Sequence, residues 1–374
     1  MAAGLGVVLG PTLGGMVTTV LSWEYIFLIN VPVGAVAVAA ALLVIPGSTP
    51  VRIGQPWVLD LPGVVLSSGG LFCLVFPIIE GQRLGWTSPV VVGSFGMALV
   101  LLCGFVMVER RAPFPLLDLG LFADRLFAVG NVLRAVLQFV TLGLFFPLVL
   151  LLQLGLGFSS LDSAVLLMPL VLAAVVVSPL AGSMSDRVDV RWLAIPGFLS
   201  VAGGALALAL LVPSTTGPSL LGPLALVGIG LGALEAPTTS ATLRDVPPDR
   251  AGAASGMSYL TLLLGAELGL AVSAAVLQAT FAAELAGGRP GTDAQQVAGT
   301  FISGQPSPAT GNLLDTGMAF SGAVVAALLV CVAAATAGAT IAVDFSPHPP
   351  RRIGPVYAGD PGNKGAPNVG SANV

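Results

Sequence analysis

The sequence predicts an all-α integral membrane protein, a helical bundle of about ten transmembrane segments. Three observations predict it. The 374 residues are 55% hydrophobic and only 9% charged, whereas a soluble domain carries roughly 25% charged residues to cover its surface. Ten apolar runs reach the ~20 residues that an α-helix needs to cross a bilayer core. Eleven of the fourteen Lys and Arg residues fall on one side of the resulting topology, and that bias is what orients membrane helices.

The runs lie near residues 2–21, 25–45, 58–79, 88–108, 127–152, 163–184, 191–212, 219–241, 253–279 and 318–342. They are continuous and too long for barrel strands. If the first run travels outward, the inner segments hold Arg52; Arg110, Arg111 and Arg125; Arg187 and Arg191; Arg244 and Arg250; and Arg351, Arg352 and Lys364. The outer segments hold Arg83 and Arg289, and Arg134 lies within a helix. Ten crossings return the C-terminus to the cytoplasm. Residues 281–317 read as a long outer loop rich in Gly, Pro, Thr and Gln, and 343–374 as a disordered cytoplasmic tail. Asp60, Glu80 and Glu109 fall at helix ends, where solvated caps or interface anchors are expected.

Composition excludes several classes of function. Net charge is −4 without a basic tract, so no nucleic-acid surface is expected. Cys73, Cys103 and Cys331 lie in apolar runs with no CxxC spacing, and His348 is the single histidine. Neither a metal site nor a His-based catalytic triad can be assembled. The expected partners are the lipid bilayer and a small-molecule substrate. No cofactor is expected, and no catalytic residue is assigned.

The first run reads Gly6-x-x-x-Gly10-Pro11-x-x-Gly14-Gly15. Glycines four residues apart admit a neighbouring helix, and Pro11 bends its own helix. Trp23-Glu24-Tyr25-Ile26-Phe27-Leu28-Ile29-Asn30-Val31-Pro32-Val33-Gly34 follows. Together these segments resemble the major facilitator superfamily, in its fourteen-helix drug:proton antiporter branch. Gly6, Gly10, Pro11, Gly14 and Gly15 match most of that branch's antiporter motif, with Glu24 where a basic residue is usual. Gly182, Asp186 and Arg187 resemble its cytoplasmic loop motif, whose second half is eroded to Asp189-Val190-Arg191. Residues 244–256 resemble the next cytoplasmic loop, although Leu262 and Leu263 replace a frequent polar pair.

The resemblance implies a domain plan. Residues 1–45 correspond to the last two helices of an N-terminal transporter domain. Residues 46–126 correspond to two extra linker helices and a cytoplasmic connection, and 127–342 to a six-helix C-terminal domain. The chain then begins at the fifth of fourteen helices, and a late start codon, an incomplete gene and a decayed transporter all remain open. It implies proton-coupled export of small amphipathic compounds or drugs, driven by the proton gradient. Without the first four helices, these 374 residues are not expected to transport by themselves. A non-transporting remnant or a partner subunit is the alternative. One Lys beside 13 Arg, with abundant Ala, Gly and Val, points to a bacterial source and so to a bacterial plasma membrane.

Ionisable residues inside a membrane are costly and mark function by default. Arg134 shares a helix face with Asn131, Gln138 and Thr141, a stripe that faces water or protein unless Arg134 snorkels to the cytoplasmic interface. Glu235, at a similar depth, shares a face with Thr238 and Thr242. By the resemblance, the helices carrying Arg134 and Glu235 line one cavity, as a buried pair or along the substrate path. Glu267, nearer the membrane middle, is either a coupling-proton carrier or a tolerated protonated carboxyl. The topology makes one direct prediction. A fluorescent protein fused after Val374 should fold and fluoresce in the bacterial cytoplasm, whereas alkaline phosphatase fused there should be inactive; the converse pair of results would invert the orientation.

Overall fold

The structure, a computed structural model, describes residues 24–44, 60–111, 119–185, 187–214, 217–247, 250–288, 294–302 and 313–343. The first apolar run, the glycine motif at Gly6–Gly15 and the C-terminal tail lie outside the described residues.

Every described element is helical, and no strand occurs among the described residues. After a single turn at Tyr25–Leu28 come α1 (Asn30–Val44), α2 (Leu61–Leu84), α3 (Pro89–Glu109), α4 (Arg125–Leu150), α5 (Ser160–Ser185), α6 (Arg191–Leu211), α7 (Leu221–Leu243), α8 (Ala251–Gly288), α9 (Ala294–Ile302) and α10 (Leu313–Val343). Eight of these, α2–α8 and α10, are long and apolar enough to cross a membrane, and α1 is a shorter apolar helix.

The helix starts follow the chemistry of capping. Asp60 Oδ1 accepts from the Gly63 N–H at 2.9 Å, and Asp124 Oδ1 accepts from the Phe127 N–H at 2.9 Å. Ser88 Oγ accepts from the Val91 N–H at 3.3 Å, with Pro89 opening α3. Each cap satisfies a donor that the first turn leaves without a carbonyl. Between α2 and α3 the chain turns at Gly85, whose φ of 85° suits a residue without a side chain.

One hydrophobic core runs through α4–α10. The helices are held close by missing side chains rather than by large ones. A Cβ on Gly265 or Gly269 of α8 would overlap the carbonyl oxygens of Ala135 and Phe139 on α4, and one on Gly228 would overlap the Leu170 carbonyl of α5. The matched steps show that α8 runs parallel to α4, and Gly232 against Ala174 shows that α7 runs parallel to α5. Gly338 of α10 lies under the Phe198 ring of α6. The α2–α3 hairpin packs chiefly on itself and touches the bundle through α8.

The outside of the bundle is apolar. Val165, Leu172 and Val176 of α5, and Leu199, Leu206 and Leu210 of α6, are all exposed. Patches this large are rare on soluble monomers and are the expected face of a protein solvated by lipid.

Two expectations need correction. Residues 281–317 are not simply an outer loop. Helix α8 continues to Gly288, and 294–302 form α9. Ala294 and Ala298 are buried, and Phe301 meets the rings of Phe281 and Phe320 at 5.3 and 5.2 Å. An apolar stripe of one residue per turn was hidden among Gln, Gly and Thr. Glu109 is not a solvated cap either. It is 4% exposed and reaches back to the start of α2, where a Cβ on Gly63 would lie 3.2 Å from its Oε2. The antiparallel hairpin brings the two helix ends together.

Gly269→Leu should therefore lower the melting temperature in detergent, because overpacking a well-filled contact costs about 1–3 kcal/mol or more. Gly96→Ala, with nothing within 4 Å of the added Cβ, should leave it unchanged or raise it slightly. Equal effects of the two would remove the packing argument.

Candidate functional site

Arg134 and Glu235 come together between α4 and α7. The contact starts one turn nearer the cytoplasmic end expected from the charge bias. There a Cβ on Gly130 would overlap Thr242 Oγ1, so the two helices touch. The helices run in opposite directions, three crossings apart. Arg134, four residues on from Gly130, therefore stands level with Thr238. Glu235 stands about 4.5 Å further along the axis, near the level of Gln138. The two charges act on each other electrostatically. They do not form a salt bridge within 4.0 Å.

The polar groups around them are unequally served. Thr238 Oγ1 donates to the Leu234 carbonyl at 2.6 Å, Thr242 Oγ1 to the Thr238 carbonyl at 2.6 Å, and Thr141 Oγ1 to the Leu137 carbonyl at 2.7 Å. These hydroxyl protons go to carbonyls of their own helices, as is usual for Thr inside helices. Asn131, fully buried, donates from Nδ2 to the Phe127 carbonyl at 2.8 Å, and its Oδ1 has no hydrogen-bond partner. Arg134 is 8% exposed, and its Nε–H has no acceptor. Glu235 is exposed on the facing helix, and Gln138 is half-buried. An arginine offers five N–H donors, and the Nε–H of this one is buried without an acceptor.

The other residues singled out from the sequence fall elsewhere. Glu267 is exposed on α8, on a stripe with Leu260 and Leu263 and away from the Gly265–Gly269 face that meets α4. It lies about 24 Å from the start of its helix. Gly182 packs on α7, where an added Cβ would lie 3.3 Å from the Ala236 Cβ, and Arg187 is exposed beyond the end of α5. Asp186 lies outside the described residues, as do Gly6, Gly10, Pro11, Gly14 and Gly15. Beside Arg187, Arg191 pairs with Asp189 at 3.1 Å and lies over the exposed Trp192 ring at 5.4 Å. This is the chemistry of an interface anchor.

Three buried serines went unremarked in the sequence. Ser163, Ser258 and Ser273 are each at most 2% exposed, and the Oγ atoms of Ser163 and Ser258 lack a hydrogen-bond partner. Ser273 lies beside Gly143 and Cys331 where α4, α8 and α10 meet. Serine among small residues of an apolar run carries no signal of its own. An open cleft lined by Leu66, Gly104, Met107, Val108 and Arg111 belongs to the α2–α3 hairpin and contains none of the residues above. Among the described residues no group of His, Cys, Asp and Glu could hold a metal.

If Arg134 has no protein acceptor, replacing it should not cost stability. Arg134→Met should melt at the same temperature or higher, since exchanging a buried charge for an apolar side chain is commonly neutral or favourable. A clear drop would mean that a partner within the protein holds the guanidinium.

Comparison with known proteins sets this geometry in context. The model of the Major Facilitator Superfamily matches residues 1–270. The chain is 32% identical to the tetracenomycin C resistance and export protein of Streptomyces glaucescens, over 70% of this chain and 48% of that protein. It is 31% identical to the multidrug resistance protein Stp of Mycobacterium tuberculosis, over 76% of this chain and 52% of that one. It is 32% identical to the puromycin resistance protein pur8 of Streptomyces alboniger, over 76% of this chain and 56% of that one. The chain spans about half the length of the curated relatives it matches.

Proposed function

Because this chain belongs to the Major Facilitator Superfamily, we propose that it is part of an exporter of small amphipathic compounds, exchanged for protons across a bacterial plasma membrane. It is a multi-pass membrane protein, and its C-terminus is assigned to the cytoplasm on the Arg and Lys bias. The single observation that carries the reading is the charged site between α4 and α7, set within a bundle otherwise packed by apolar side chains and glycine. A membrane protein retains such a site at a cost of several kcal/mol, and a substrate path is the common reason. The resistance and export proteins among its relatives agree with this class.

Secondary transporters place substrate and coupling-ion sites near the bilayer middle, between units that rock against each other. On this reading, Arg134, Gln138 and Glu235 face the substrate path. Glu235 is the better candidate for the exchanged proton than Glu267. It lies in the field of a cation, so its protonation and the charge state of the path are coupled. Glu267 shares its stripe with leucines. Gly6, Gly10, Pro11, Gly14 and Gly15 are assigned to the antiport bend by resemblance, and Gly182, Asp186 and Arg187 to a gating loop.

The test uses the complete open reading frame containing this sequence, expressed in an efflux-deficient bacterium. Accumulation of an anionic, a neutral and a cationic fluorescent compound is measured with and without a protonophore. Expression should lower accumulation several-fold, and the protonophore should restore it. Glu235→Gln should abolish the dependence of efflux on the pH gradient, whereas Glu267→Gln should leave it intact. Unchanged accumulation with the wild-type frame would overturn the export reading, and the reverse pattern of variants would move the proton to Glu267.

A further inference from the structure

The site between α4 and α7 has an electrical character that the export reading does not specify. Arg134 is 8% exposed and its guanidinium Nε–H is buried without an acceptor, whereas Glu235 is exposed. Glu235 does not serve it, since no salt bridge within 4.0 Å joins them. Nor do the nearby hydroxyls: Thr238 and Thr242 donate to carbonyls of α7 and Thr141 to one of α4, and none of them accepts from Arg134. The Asn131 oxygen, one turn away, makes no hydrogen bond to it or to any other group. What remains is a planar set of N–H donors with no acceptor in the protein and with its nearest counter-charge beyond salt-bridge distance. A site selecting cations would have the opposite arrangement, a buried carboxylate with unmet acceptors and an exposed base.

We propose that Arg134 is a specificity-determining residue that binds an anionic group of the exported compound, so that this transporter selects amphipathic acids over amphipathic amines. The inference rests on the export reading and narrows it. A carboxylate or phenolate would take the guanidinium donors, bidentate in the first case. Glu235 would compete with it for the same positive field and weaken binding while it is charged. Gln138, one turn from Arg134, stands where a neutral polar group next to the acid would fall.

The test is binding to the chain purified and reconstituted in lipid nanodiscs, measured by equilibrium dialysis against empty nanodiscs. The probes are 9-anthracenecarboxylate, 9-anthracenemethanol and 9-anthracenemethylamine, which share a ring system and differ in charge. The carboxylate should bind saturably and at least tenfold tighter than the other two. Arg134→Gln should remove that preference, Arg134→Lys should keep part of it, and Glu235→Gln should tighten carboxylate binding several-fold. Equal or tighter binding of the amine, or carboxylate binding unaffected by Arg134→Gln, would overturn the inference, as would the absence of saturable binding by all three. Should Arg134→Gln fail to fold, the unmodified chain with the three probes and the Glu235→Gln variant still decide. The efflux assay separates the two readings. Export of amines as readily as of acids by the complete wild-type frame leaves the exporter standing and overturns the inference, whereas no export of any compound removes both.

Discussion

The contact between glycine backbones on α8 and α4 is the constraint on which the bundle depends. Lipid is as apolar as a leucine side chain, so burying leucine gives two membrane helices little reason to associate. What remains is dispersion between surfaces that fit, and that attraction falls steeply with a gap of even half an ångström. Gly265 and Gly269 let α8 lie with its backbone on that of α4, and Gly228 and Gly232 do the same for α7 on α5. The rest of the core, from Leu133 to Ala342, fills space whose dimensions those contacts have already set. The arrangement also fixes rotation. With Gly265 and Gly269 turned to α4, Glu267 is turned away from it.

Arg134 stands out against that background. In a bundle where close fit is the source of cohesion, a long charged side chain without an acceptor contributes little to stability and imposes a solvation cost. Its neighbours do not relieve it: none of the threonines around it accepts from the guanidinium. The tension belongs to the relation between structure and function rather than to folding. A group left unserved by the protein is available to something that enters from outside. Stability and use should therefore respond to the same substitution in opposite directions.

Much of the architecture was legible in the sequence. The apolar runs at 58–79, 88–108, 127–152, 163–184, 191–212, 219–241, 253–279 and 318–342 each fall on a described helix, because twenty apolar residues in a membrane have few alternatives to a helix. Helix ends and polar surroundings were less legible. The last turns of α8 and the whole of α9 are built on Ala294, Ala298 and Phe301, a stripe too short to stand out among Gln and Gly. Glu109 read as solvated because its burial depends on a hairpin partner forty-six residues away, beside Gly63. That Arg134 and Glu235 lie near each other was readable from similar depth on two helices, whereas the absence of a salt bridge between them was not. That separation depends on the Gly130–Thr242 contact, which sets the register of α4 against α7. The glycine spacing itself was visible, but which helix each pair would meet was not.

Helix α8 has 38 residues, so it is about 57 Å long, nearly twice the thickness of a bilayer core. It is anchored to α4 near its middle by Gly265 and Gly269, and towards its outer end it carries Phe281, whose ring packs at an angle against those of Phe301 of α9 and Phe320 of α10. A rod held at its centre acts as a lever. A tilt of about 10° displaces each end of a helix this long by about 5 Å, the inner end one way and the outer end the other. The aromatic cluster would carry α9 and the head of α10 along with the outer arm. A small rearrangement at the level of Arg134 would thus arrive at the far surface as a displacement of a whole helical cap.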